Sequence, residues 1–239
     1  MNARAASALG GALLAAALAG IARAQQEAPA PLGPKEAIET FLRSQVSAGK
    51  PRATRAHEGL EMYWAIVWAQ VQDRLQARAV ERAERLTADL EARARAGAAS
   101  RVDVLTARAW LAAARSAQAS TRAQDGAAFY HAILGQRGLA LDEFPTADLP
   151  DGVAATRDAL AAAREAERAA RELFEAAHAA HAAGGCSTGE LVAAGSRLGE
   201  QEAAAQGAAL LARRAHDRLL LREGRLLAHY GVAADDGGD

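Results

Sequence analysis

Cysteine is nearly missing from this 239-residue chain. Cys186 stands alone, so no internal disulfide is available and packing has to hold the fold. Lysine is scarce too: Lys35 and Lys50 are the only two, and arginine supplies the remaining positive charge. The six prolines avoid most of the chain, with none between Pro51 and Pro145 and none after Pro150. Proline is excluded from helix interiors, so those two stretches are open to long helices. Neither sign of charge prevails. The formal net charge is −1 and acids are interspersed with bases, so nothing suggests a nucleic-acid surface. Beyond the N-terminus no run reaches 18 apolar residues, so no further transmembrane helix is available. The chain also lacks a phosphate loop, a Cys-x-x-Cys pair and a paired-carboxylate signal, which argues against an enzyme and against a cofactor.

What is present begins with MNARAASALGGALLAAALAGIARAQQ. Arg4 gives a basic start, Ala5 to Ile21 is small and apolar, and Ala22-Arg23-Ala24 offers an A-x-A cleavage site. This layout predicts a secretory signal peptide over 1–24 and an exported chain. Residues 25–54 read as a Pro-rich linker with one short helix, whose apolar stripe is Ile38, Phe41, Leu42 and Val46.

The next signal is a repeat. AGAASRVDVLTARAWL (96–111) and AGGCSTGELVAAGSRL (183–198) align without a gap at an offset of 87. Gly97 and Gly184 would stop a helix, and Ser100–Asp103 and Ser187–Glu190 would start the next one with a capping box. Each copy lies between long runs of helical periodicity. The first run carries Trp64, Trp68, Val71, Leu75, Ala79, Ala83, Leu86, Leu90 and Ala94. The second carries Val102, Leu105, Ala109, Ala112, Ser116 and Ala119, an alternating 3-4 series that predicts a coiled-coil seam. The fourth carries Leu191, Leu198, Ala205, Ala212, Leu219 and Leu226 at seven-residue spacing. The fold class that follows is all-α. Two long antiparallel hairpins, 55–138 and 153–231, form an elongated four-helix coiled-coil bundle, with a crossover at 139–152 and a disordered tail at 232–239. Seams this rich in alanine bury little area, so rods this thin are expected to need lateral partners.

Counting along the helices gathers Tyr63, Trp64, Trp68, Phe129, Tyr130 and Tyr230 at the end opposite the tips. That cluster reads either as a bundle-end core or as a membrane-proximal belt. Glu175 and His178 form an E-x-x-H, with His181 and Cys186 nearby. Those residue types suit a soft metal, but no second motif accompanies them, so a solvated helix end is the simpler reading.

The tip sequence Gly97-Ala98-Ala99-Ser100-Arg101-Val102-Asp103-Val104-Leu105-Thr106-Ala107 and its looser copy from Gly184 to Ala194 resemble the hairpin tips of the TolC-type outer-membrane efflux proteins. YWAIVWAQVQ (63–72) and AAFYHAILG (127–135) are similar to that family's hairpin ends. The resemblance covers about residues 58–231. It implies a trimer whose hairpins build a helical tunnel in the envelope of a Gram-negative bacterium. Tip residues Gly97, Ser100, Arg101, Asp103, Gly184, Ser187 and Glu190 would meet a periplasmic adaptor, which links the tunnel to an inner-membrane pump. The family also places two transmembrane strands before each hairpin, and neither residues 35–56 nor the crossover has room or alternation for such a pair. The expectation is therefore a reduced, efflux-type conduit or docking element, periplasmic or associated with the outer membrane. A soluble periplasmic scaffold that has lost transport is the alternative.

Overall fold

Both proline-free stretches fold as helical hairpins. The computed structural model describes residues 32–44, 49–123, 144 and 153–234. Its helices are α1 (Pro34–Arg43), α2 (Arg52–Arg95), α3 (Arg101–Ala123), α4 (Ala154–Ala182), α5 (Thr188–Arg222) and α6 (Leu226–His229). The protein is all-α. The 44 residues of α2 give a rod about 66 Å long. α2 pairs with α3, α4 pairs with α5, and α2 packs on α5 between them, so the order across the molecule is α3–α2–α5–α4. α3 also touches α5, while among the described helices α4 packs closely on α5 alone.

The central seam follows the sequence pattern. Trp64, Val71, Leu75, Ala83, Leu86 and Leu90 of α2 are buried, as are Leu191, Leu198, Ala205 and Ala212 of α5. Charges flank the seam. Arg82 of α2 grips the buried carboxylate of Glu202 on α5 with two hydrogen bonds, at 3.3 and 3.0 Å. Arg171 of α4 adds a third to the same carboxylate at 3.4 Å. One buried acid thus ties three helices, and its desolvation is offset only because several donors meet it.

Around α1 the packing is closer. A Cβ on Gly59 would lie 2.9 Å from that of Phe41, so glycine lets α1 lie directly on α2. Arg55 then donates to the Leu42 carbonyl at 2.6 Å, closing the end of α1. Val46, expected in the α1 stripe, lies outside the described residues.

Three expectations are corrected. First, the series Val102, Leu105, Ala109, Ala112, Ser116 and Ala119 does not face α2; every one of these side chains is exposed. The face that packs on α2 instead carries Val104, Ala107, Leu111 and Ala114. This choice sets Arg108, Arg115 and Arg122 beside Glu91, Glu84 and Asp73 of α2, at 2.6, 2.8 and 2.7 Å. Second, α5 does not run on to Leu226. It stops at Arg222, and Gly224 at φ 69° turns the chain into α6, where Leu226 is buried on its own account. Third, the chain stays packed past residue 231. Val232 is buried, and Arg52 donates to the Ala233 carbonyl at 3.0 Å. Most of the crossover, with Phe129 and Tyr130 before it, lies outside the described residues, as do residues 1–24.

Candidate functional site

The two tips repeat atom for atom. At the first, Gly97 takes φ 75°, its N–H donates to the Ala94 carbonyl at 3.0 Å, and the Ala98 N–H donates to the Arg93 carbonyl at 2.8 Å. At the second, Gly184 takes φ 77°, donates to His181 at 3.0 Å, and Gly185 donates to Ala180 at 2.8 Å. This paired closure requires a left-handed residue, which costs an L-residue about 1–2 kcal/mol and glycine nothing.

Both capping boxes close. The Ser100 N–H and hydroxyl donate to Asp103 Oδ2 at 3.1 and 2.6 Å, and the Asp103 N–H returns to Ser100 Oγ at 3.1 Å. The Ser187 N–H and hydroxyl both reach Glu190 Oε2 at 2.8 Å, and the Glu190 N–H returns at 3.2 Å. The hydroxyl of Ser100, the hydroxyl of Thr188 and the Ser100 N–H hold the Asp103 carboxyl below the usual range. The backbone N–H and hydroxyl of Ser187 do the same for Glu190.

A hydrogen bond joins the tips: Thr188 donates to Asp103 Oδ1 at 2.6 Å. The two corners therefore sit side by side at one end of the molecule, with Arg101 exposed beside them. Sequence reasoning missed Thr188. The serine before it already explained the cap, and nothing local shows that its hydroxyl crosses to the other hairpin.

His181 and Cys186 meet through the backbone. A carbonyl only accepts, so His181 Nδ1 carries the proton and donates to the Cys186 oxygen at 2.9 Å. The His178 ring lies 6.3 Å from that of Phe174, tilted by 50°. Among the described residues no group of three or more His, Cys, Asp or Glu side chains is placed to hold a metal ion.

The outer helices carry the second feature. On α3 the exposed residues Val102, Leu105, Ala109, Ala112, Ser116 and Ala119 step by three and four. On α4 so do Ala155, Ala159, Ala162, Ala166, Ala169, Leu173 and Ala176, also all exposed. Among the described residues the exposed large apolar side chains are Val102 at 70%, Leu105 at 52%, Leu173 at 47% and Leu211 at 62%. Three of the four lie on these two stripes, and those three lie near the tips. The helix pattern of a coiled-coil seam is thus present twice with no partner among the described residues.

At the opposite end the aromatics are a core. Tyr63 and Trp64 are wholly buried, with ring centroids 4.8 Å apart. Phe144 lies 5.9 Å from Trp64 and 6.3 Å from Trp68. Trp64 Nε1 and the Tyr230 hydroxyl each donate to Asp217 at 2.7 Å, and Arg213 donates to that hydroxyl at 2.7 Å. Burial pushes the Tyr63 phenol up, and burial followed by the Asp217 charge does so for Tyr230. Of the two readings, the bundle-end core is the one these positions favour, since the Tyr63 and Trp64 rings have no exposed surface. Among the described residues no helix is long and apolar enough to cross a membrane.

Comparisons with family models, curated proteins and solved structures return no match.

Proposed function

We propose that this chain is a reduced, TolC-like export component of the cell envelope, whose hairpins assemble with those of other copies into a helical ring. The ring acts as a conduit or docking element, with every tip at one end. One observation carries this reading: the exposed 3-4 stripes on α3 and α4 lie on the two outermost of the described helices and have no partner among the described residues. α3 runs away from the tips and α4 runs toward them, so α3 of one copy and α4 of the next would pair antiparallel with the tips level. A head-to-tail contact of this kind, repeated about an axis along the rods, closes into a ring. The apolar ends also match in height, with Val102 and Leu105 just after the first tip and Leu173 and Ala176 just before the second. The tip residues Arg101, Asp103 and Glu190 would then form a rim of alternating charge facing an adaptor, itself coupled to an inner-membrane pump.

Ser116 lies 15 residues after the start of α3, and Ala166 lies 16 residues before the end of α4. In a Cys186→Ser background, the pair Ser116→Cys and Ala166→Cys should therefore cross-link between copies on oxidation. Light scattering of the mature protein should give a trimer or larger ring, and Leu105→Lys with Leu173→Lys should reduce it to monomer. A wild-type monomer without cross-links would overturn the ring and leave the periplasmic scaffold. Arg101→Glu and Asp103→Lys test the rim: adaptor capture that survives both removes the tips as the docking site.

A further inference from the structure

A cleft of about 430 Å³ opens between the hairpins just behind the tips. It is independent of the ring, since no residue of either outer stripe lines it. Its apolar wall is Trp110 of α3, Phe174 of α4, and Leu86 and Leu191. That wall exists because position 195 has no side chain. A Cβ on Gly195 would lie 2.9 Å from the Trp110 ring and 3.2 Å from Phe174, so both rings rest against α5 only over a glycine. The polar wall holds Arg82, Arg85 and Arg93 of α2 with Asp89, and His178 and His181 of α4.

The arginines are not equally committed. Arg82 is bound to the buried Glu202. Arg85 pairs with Glu81, and Arg93 with Asp89 at 3.7 Å, in same-helix contacts whose acids are largely exposed. Such surface pairs are weak, so a better-placed anion displaces the carboxylate at little cost. The ligand's charge is left to the arginines, because His181 gives its proton through Nδ1 to the Cys186 carbonyl and its shielded Nε2 is an acceptor. The volume falls within the range of small-molecule pockets, and the lining has their composition of aromatic body and few polar groups.

We infer that this cleft binds a small amphipathic organic anion, its ring or chain against Trp110 and Phe174 and its acid group toward Arg85 and Arg93.

Calorimetric titration of the mature protein with 1-naphthoate, neutral 1-naphthylmethanol and cationic 1-naphthylmethylammonium tests this. The anion should bind saturably, about tenfold or more tighter than either analogue, as expected for charge-assisted hydrogen bonds. Ala182→Phe at the exposed mouth and the double variant Arg85→Gln/Arg93→Gln should each weaken it about tenfold, at unchanged helical circular dichroism. Absence of saturable binding, equal affinity for the neutral analogue, or affinity unmoved by both variants would overturn the assignment. If Ala182→Phe fails to fold, the arginine double variant decides.

Discussion

The two ends of the bundle are held by different physics. The end opposite the tips is a core in the ordinary sense: Phe41, Leu60, Tyr63, Trp64, Ile66 and Val67 are sealed from solvent. Around Asp217 a buried hydrogen-bonded cluster joins α2, α5 and the chain after α6. The tip end has a much smaller buried cluster of Leu86, Leu90, Ala107 and Leu191. It is defined instead by backbone closure at two glycines and by two capping boxes at the surface. Large side chains supply most of the area-dependent stabilisation, so the first end anchors the molecule. The second end is specified in shape with little burial. A surface built for contact has that character, because its geometry persists while its side chains stay available.

The sharpest way to break this contrast is at Asp217. Asp217→Ala strips the acceptor from Trp64 Nε1 and Tyr230 and leaves the Arg213 guanidinium buried beside them. Removal of one partner of a buried charged cluster costs about 3–5 kcal/mol. Urea unfolding should show that loss in full, while the proposed adaptor capture and anion binding should stay as in the wild type wherever the protein remains folded. A loss below about 1 kcal/mol would mean that the cluster is no anchor.

The glycine corners come next in size. A Cβ at Gly97 or Gly184 meets nothing within 4 Å, so Gly→Ala at either position is a pure backbone test. Each should cost about 1–2 kcal/mol, the left-handed penalty of an L-residue. Hydrogen exchange should place the increase at the Ala94–Ala98 and His181–Gly185 amides and leave the Trp64 region protected. Equal losses at the two positions would confirm that the repeat is energetic as well as geometric; an effect on one alone would show that one corner is relaxed by its neighbour.

How far each feature was legible in the sequence follows from how local its cause is. The corners were readable because Gly97, Ser100 and Asp103 act within a few residues, and an 87-residue repeat displayed the same chemistry twice. The α2 and α5 seams were readable because large apolar residues contrast with charged ones. α3 was misread for lack of that contrast. Two interleaved series, Val102–Leu105–Ala109–Ala112 and Val104–Ala107–Leu111–Ala114, are both small and apolar, and only the partners of Arg108, Arg115 and Arg122 decide between them. The heptad through Leu219 and Leu226 concealed the break at Gly224, since burial of Leu226 satisfies the pattern either way. Trp110 over Gly195 was invisible because the pairing spans two helices and depends on a missing side chain.

The smallest effect discriminates best between the ends, because it is a matter of pH. Asp103 and Glu190 have folded-state carboxyls held below their ordinary values by the caps. A depressed carboxyl contributes stability that is fully present above its unfolded value, about 3.9 for Asp and 4.3 for Glu. That contribution fades as pH falls through the lower folded value. Acid should therefore loosen the tips from about pH 4 downward, with hydrogen exchange at Asp103 and Glu190 accelerating there. The variants Asp103→Asn and Glu190→Gln keep an oxygen acceptor and lose the titration, so together they should flatten the acid limb of stability against pH. Ser100→Ala and Ser187→Ala remove the hydroxyl partner and should cost about 1 kcal/mol each near neutrality; the gap should narrow in acid, where only the bond from the backbone N–H to the serine oxygen is left to lose. If the serine variants stay separated from the wild type by the same amount at pH 3 as at pH 7, the carboxylates are bystanders and the hydroxyls alone hold the corners.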